Sequence, residues 1–501
     1  MTLLHSVLSH SCKLKDDVAL ENEQGKTSAS GLLNRANSLS EAIGATGVRS
    51  IALYADNGPD WVAVDLACQF ANVCLTPLPL FFSPEQIVHA LHTSGAEILF
   101  CNSQPQLPVN LLSEPIPGQE LSTGNLCGVK VTSPSEFAGQ IPEQTAKITY
   151  TSGTTGSPKG VCLSTQQQLA VARSLSQAVA HPAPRHLCVL PMSTLLENIG
   201  GIYAPLLGGG TVVAPSLNQL GMTGSSELDL PMLLASISHW RPNSMILVPE
   251  LLNALVLATH QGWCPPDSLA FVAVGGSRVA PELLRAARNA QLPVFEGYGL
   301  SECASVVTLN TPTADRPGSV GQVLPHAQIQ IREGEIFVSG NAFLGYAGQP
   351  DSWNCNEVAT GDTGIIDDEG FVTIDGRRKH IIISSFGRNI SPEWVESEIK
   401  TGPLFRQVAV FGESRPHCVA LLVPRNIDES SPERVDAHIE AVNQRLPDYA
   451  QVHNWHLLEH PFGPKDATAT ENGRLRRHVI EEKYSSVIDA LYRKSPEVMC
   501  S

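Results

Sequence analysis

Ile51-Ala-Leu-Tyr54, a helical pattern from Trp61 to Val73, Cys74-Leu-Thr-Pro-Leu78, a helix opening at Ser83-Pro84-Glu85-Gln86, and Glu97-Ile-Leu-Phe-Cys101 follow one another along the chain. Short apolar runs alternate with 3.6-residue periodicity, the pattern of buried strands joined by crossover helices. Ser83 offers a capping oxygen, Pro84 suits the first helical turn, Gln86 stands three residues past the cap, and Gly95 closes the helix. Repeated βα units of this kind predict a parallel, doubly wound sheet.

Downstream, Asn102 to Lys147 is rich in Pro, Ser, Gly and Gln and reads as irregular connections or short strands, a poor place for a core. A second α/β section supplies strand candidates Leu187-Cys-Val-Leu190, Met245-Ile-Leu-Val248, Phe271-Val-Ala-Val274 and Pro293-Val-Phe295, with a helix over Pro281 to Asn289. From about Arg316 to Asp375 the runs Gln328-Ile-Gln-Ile331, Glu335-Ile-Phe-Val338 and Phe371-Val-Thr-Ile374 are punctuated by glycine, as in a small barrel or antiparallel sheet. After Arg377 an α+β tail carries helices over Pro392 to Lys400 and Pro432 to Gln444, and a hairpin of Gln407 to Phe411 with Cys418 to Val423. The expectation is an α/β protein. Residues 1–376 form a large N-terminal domain of doubly wound α/β subdomains plus a small β-barrel, and residues 377–501 a small α+β C-terminal domain.

The 501 residues carry 33 basic and 49 acidic side chains, a net charge of -16. That balance argues against broad attraction to nucleic acid or anionic membrane, so any anionic ligand must be held locally. No run of about 18 apolar residues suggests a membrane span. The twelve cysteines are dispersed without the two-residue gap of a zinc or redox motif, and read as reduced core thiols. Met1 to His10 lacks the basic start and apolar stretch of an export signal, which makes a cytoplasmic address the expectation.

Tyr150-Thr-Ser-Gly-Thr-Thr-Gly-Ser-Pro-Lys-Gly160 gathers hydroxyls, three glycines and one lysine behind a strand-like run. Glycines let backbone N–H groups approach oxygens, Ser and Thr add donors, and Lys159 supplies a point charge, a combination that can wrap polyphosphate. The order of Gly153, Gly156, Lys159 and Gly160 is not that of a Walker loop. The string resembles the phosphate-binding loop of the adenylate-forming superfamily: acyl-CoA synthetases, peptide-synthetase adenylation domains and luciferases.

Further elements match that family in its order. Gly275-Gly276-Ser277 looks like its adenine-side glycine turn, and Glu296-Gly-Tyr-Gly-Leu-Ser-Glu302 resembles its Tyr-Gly-x-Thr-Glu element. The resemblance implies nucleotide contacts from Thr151, Ser152, Gly153, Thr154, Thr155, Gly156, Gly275, Gly276, Ser277, Glu296, Gly297, Tyr298 and Gly299. Tyr298 would offer a flat face to adenine, Ser301 a hydroxyl to phosphate, and Glu302 an oxygen to Mg2+. Thr360-Gly-Asp-Thr-Gly364 and Gly376-Arg-Arg-Lys379 resemble the ribose-binding aspartate and the arginine that opens the small domain, which implies roles for Asp362 and Arg377 and a hinge at Lys379. Gly387 falls where the family lines its thiol channel. Taken alone, Asp362 could be a turn former and Arg377 to Lys379 a solvated basic cluster.

Two departures stand out. Thr470-Glu-Asn-Gly-Arg-Leu-Arg-Arg477 resembles the family's Asn-Gly-Lys-Leu-x-Arg element, yet position 474 is arginine where the catalytic lysine is expected. A broad guanidinium does not reproduce a compact ammonium. Leu190-Pro-Met-Ser-Thr-Leu-Leu-Glu-Asn198 resembles the Leu-Pro-Leu-x-His-x-x-Glu run of long-chain acyl-CoA synthetases, with Thr194 in place of the histidine. Nearby Leu195, Leu196, Ile199 and Ile202 fit a medium or long acyl chain or, equally, a helix core.

The resemblance implies ATP-dependent activation of a carboxylic acid, with Lys159, Ser301, Glu302 and Arg474 as catalytic residues and a small C-terminal lid that rotates between two half-reactions. ATP and Mg2+ are the implied cofactors. Coenzyme A is the expected acceptor, and the phosphopantetheine arm of an acyl carrier protein is second. A non-thioester product such as a β-lactone, and a nucleotide- or acyl-binding module without turnover, remain the alternatives.

Overall fold

The computed structural model describes residues 17–102, 112–115, 121–132, 140–151, 158–179, 184–223, 227–378, 380–385, 388–470 and 473–493. Two nine-stranded sheets dominate the N-terminal part. In one, Ser50–Tyr54 lies between Cys74–Pro77 and Ile98–Cys101, all parallel, and Cys74–Pro77 is parallel to Lys147–Thr151. In the other, Val294–Leu300, Phe271–Val274, Ser244–Leu247, Arg185–Leu187, Thr211–Val213 and Val18–Asn22 run parallel in that order. Antiparallel strands finish the edges of both. The doubly wound expectation holds for the middle of each sheet.

Local signals explain where elements begin. Ser83 Oγ accepts from Gln86 N, Gln86 Oε1 accepts from Ser83 N, and Gly95 ends the helix Pro84–Ser94 at φ 62°. Such a cap contributes about 1 kcal/mol. The helices Pro281–Asn289 and Pro392–Lys400 occupy the expected spans, each opened by proline.

Two expectations need correction. Glycine-punctuated strands Gln328–Arg332, Glu335–Ser339, Glu357–Ile366 and Val372–Arg377 form an open four-stranded antiparallel sheet, and no pairing of its outer strands closes a barrel among the described residues. The Asn102 to Lys147 stretch also contributes to packing: Leu126–Val131 pairs antiparallel with Ile98–Cys101 and buries Leu126, Val129 and Val131.

The C-terminal part has its own core. Phe405–Phe411, Cys418–Pro424 and Val452–Leu457 form one sheet, with Pro392–Lys400 and Pro432–Asn443 among the elements packed on it. Lys400 Nζ to Glu250 Oε1 at 3.0 Å and a paired hydrogen bond between Asn253 and Gly402 join it to the helix Pro249–His260. No helix among the described residues is long and apolar enough to cross a membrane.

Candidate active site

Lys147–Thr151 and Lys159–Leu163 pair antiparallel as the two arms of a hairpin, with Lys159 opposite Thr151. Ser152, Gly153, Thr154, Thr155 and Gly156 lie outside the described residues, as do Lys379 and Gly387. The shoulders of the hairpin are defined. His89 Nε2 lies 3.0 Å from the Pro158 carbonyl oxygen. Lys159 Nζ stands 4.9 Å above the ring of Tyr346, and the Tyr346 hydroxyl donates to Glu302 Oε1 at 2.8 Å. Burial, reinforced by Glu302, pushes the Tyr346 phenol above its usual range and keeps it a proton donor.

Glu302 belongs to the single 3-10 turn Ser301–Cys303 that ends the strand Val294–Leu300. Two non-glycine residues with positive φ follow, Ala304 at 57° and Ser305 at 100°. Such costly conformations cluster at functional sites. The reversal returns the chain into Ser305–Leu309 and leaves Glu302 at the strand tip, partly exposed.

Gly275, Gly276 and Ser277 form the turn after Phe271–Val274. A Cβ on Gly275 would stand 2.9 Å from the Gly297 carbonyl oxygen, so this turn meets the Glu296-Gly297-Tyr298-Gly299 strand backbone to backbone. Gly276 has φ 83°, and Ser277 is exposed. Glu296 is 8% exposed, and burial raises its carboxyl to about 8 despite Arg278 and the N–H of Val279.

Asp362 unites the second half of the site. Its Oδ2 accepts from the Tyr298 hydroxyl at 2.7 Å and its Oδ1 is 2.8 Å from Arg377 Nε. Thr360 Oγ1 accepts from Asp362 N at 3.0 Å and fixes the strand beneath. Asp362 is 4% exposed while the Arg377 side chain is 41% exposed, so an anchored carboxylate meets solvent through a movable donor.

Arg474 reaches this cluster from the C-terminal part. Its N–H donates to Thr470 Oγ1 at 3.1 Å and its carbonyl accepts from Thr470 N at 2.8 Å, which closes the turn that carries it. The guanidinium is lowered from its usual range by burial and then by Arg377, while Glu393 and Asp362 favour its charge. Arg474 also lines a cavity of about 510 Å³ with His380, Arg476 and Arg477.

One partner, Tyr346, carries no motif of its own. Glu393 Oε1 sits 2.6 Å from His380 Nδ1 and 3.6 Å from Arg477 Nη2. Burial raises the Glu393 carboxyl, but the His380 hydrogen bond and the Arg477 and His380 charges outweigh it and hold the group at about 2.

The stretch expected to meet the acid is largely packed. Leu195, Ile199 and Ile202 belong to the main core, and Leu196 is partly buried against it. Glu197 is fully buried, its Oε1 3.0 Å from His186 Nε2 and its Oε2 accepting from Leu190 N. His186, Glu197 and Cys188 form the one group of three metal-ligand types clustered among the described residues, and each already has a hydrogen-bond partner.

The sequence matches the AMP-binding enzyme family over residues 9–346 and the AMP-binding enzyme C-terminal domain over residues 379–496. A 2-succinylbenzoate–CoA ligase of Bacillus velezensis is 31% identical over 376 residues, covering 66% of this chain and 73% of that protein. The long-chain-fatty-acid–CoA ligase FadD15 of Mycobacterium tuberculosis is 24% identical over 541 residues, covering 89% and 88%. Among solved structures, the anthranilate CoA ligase AuaEII with anthranoyl-AMP superposes with a TM-score of 0.76 at 17% identity, covering 97% of each chain. The o-succinylbenzoate coenzyme A synthetase MenE of Bacillus subtilis with ATP and magnesium gives 0.72 at 23% identity, covering 94% and 98%. On the match over residues 9–346, more than half of its length, the chain belongs to the AMP-binding enzyme family.

Proposed function

We propose that this protein is an AMP-forming acid–thiol ligase. An oxygen of a substrate carboxylate attacks the α-phosphorus of ATP, the bond to the β-phosphate oxygen breaks, and pyrophosphate leaves. A thiol sulfur then attacks the acyl carbon, loses its proton, and releases AMP. No covalent enzyme nucleophile is required.

The observation that carries this reading is the carboxylate of Asp362, held by Tyr298 and Arg377 with Arg474 in electrostatic reach. A ribose offers two hydroxyl donors, which an anchored carboxylate can accept once Arg377 yields. A fixed cation beside that carboxylate favours the negative charge that builds at an α-phosphate. Lys159 would draw the β- and γ-phosphates, with Thr151 and its hairpin neighbours donating to them. Glu302 has the hard oxygen donor that Mg2+ prefers and would hold the ion, which supplies charge neutralisation to the leaving pyrophosphate.

Coenzyme A is the acceptor that fits the CoA ligases among the relatives. The acid is proposed to be apolar, a medium- or long-chain fatty acid, because Leu190 to Asn198 carries no basic side chain and His186 beneath it is engaged. A cytoplasmic location accompanies this reading. Mass spectrometry of products formed from ATP, coenzyme A and fatty acids of graded length tests it. Acyl-CoA formation supports the ligase, whereas adenylate without thioester contradicts the second half-reaction.

A further inference from the structure

Lys147 is fully buried at the start of the strand Lys147–Thr151, about 13 Å along the backbone from Thr151. Its ammonium donates to Asn198 Oδ1 and to the Tyr203 hydroxyl at 3.1 Å, and forms an ion pair with Asp65 Oδ1 at 2.7 Å. Asp65 Oδ2 in turn accepts from Asn198 Nδ2 at 3.0 Å and from Tyr203 at 2.8 Å. Asn198 and Tyr203 are the first and last residues of Asn198–Tyr203, a six-residue π-helix set between Leu195–Glu197 and Ala204–Leu207. A wide turn of that kind costs hydrogen-bond geometry and recurs at functional sites.

Stability alone does not explain the pair. Removing two charges from water costs several kcal/mol each, and a well-packed apolar pair is often as stable or more so. The best-attested use of a buried ion pair is to specify one register among alternatives. Here the pair ties both ends of the π-helix to the strand that leads into the nucleotide hairpin.

We propose that Lys147 is a positioning residue that fixes the π-helix Asn198–Tyr203, and with it the preceding stretch from Leu190 that the proposed function assigns to the acid, in register with the strand that leads to Thr151. The proposal rests on the ligase reading for what the two sides bind. It predicts that loosening the tie separates the two substrates: each still binds, but the carboxylate is displaced from the α-phosphorus. An error of about 1 Å in such an approach can cost about a hundredfold in rate.

The test is the paired variant Lys147→Met/Asp65→Asn, which removes both charges together and avoids a lone buried ion, with Tyr203→Phe as the milder probe that leaves the ion pair intact. Melting temperature, ATP affinity without acid, and KM and kcat of acid-dependent pyrophosphate exchange are measured for each. The expected result is a folded paired variant whose ATP affinity stays within about twofold while KM for the acid rises and kcat falls at least tenfold, with Tyr203→Phe intermediate. Wild-type KM and kcat in the folded paired variant would overturn the proposal, as would equal losses of ATP affinity and acid KM. If the paired variant fails to fold, Tyr203→Phe decides alone: an unchanged acid KM and kcat overturns the proposal. Absence of exchange in the wild-type protein would instead strike the ligase reading.

Discussion

The Tyr346 hydroxyl donates to Glu302 Oε1 at 2.8 Å. Its ring also lies 4.9 Å below Lys159 Nζ, so one side chain touches both charged groups assigned to the leaving pyrophosphate. Substitution separates the two contacts. Tyr346→Phe keeps the ring and should hold pyrophosphate exchange within about threefold, while Tyr346→Ala removes both and should slow it about tenfold or more. Rates taken across a magnesium titration check this. Equal rates for the Phe and Ala variants would take the ring out of the account.

Asp362→Asn preserves volume and removes the charge that faces Arg377 and, in this reading, the ribose. Hydrogen bonds to a charged group contribute about 1.5–3 kcal/mol, so ATP affinity should fall by about tenfold or more. Calorimetric titration with a non-hydrolysable ATP analogue measures it. Unaltered affinity in a folded variant would move the ribose elsewhere.

Arg474→Ala should lower adenylate formation at least tenfold, because it removes a preorganised charge from the Asp362 side of the cleft. Arg474→Lys keeps the charge but loses the broad fork of donors. It should therefore fall between the wild type and the Ala variant in a single-turnover assay. A wild-type rate for Arg474→Ala, with unchanged melting, would remove Arg474 from the mechanism.

Glu296 makes a prediction about pH. Burial lifts its carboxyl from an ordinary 4.5 to about 8. A carboxyl raised by folding holds its proton more tightly in the folded chain, so its contribution to stability is complete below about 4.5 and is lost as pH climbs through about 8. The loss is on the order of a few kcal/mol. Glu296→Gln should flatten the decline of melting temperature between about pH 5 and pH 8. The same slope in both proteins would contradict the assignment.

The elements legible in advance are those with local causes. Proline at the first turn and a side-chain cap place Pro84–Ser94, and proline alone opens Pro281–Asn289. Asp362 and Tyr298 were nameable from their motifs, but their hydrogen bond spans 64 positions and no local pattern encodes it. Tyr346 lies 44 residues from Glu302 and carries no motif. The burial of Leu126–Val131 is not legible locally, because it is decided by strand partners distant in sequence, Ile98–Cys101 on one side and Leu112–Pro115 on the other. Lys147 reads as a surface residue by type, and only the fold reveals the carboxylate waiting for it.

The central claim is that a carboxylic acid is joined to AMP in this cleft. Exchange of labelled pyrophosphate into ATP, assayed over a panel of carboxylic acids of graded length, tests it most directly. The account predicts exchange that depends on the acid and peaks with an apolar one. Tight ATP binding without exchange for any acid would contradict it.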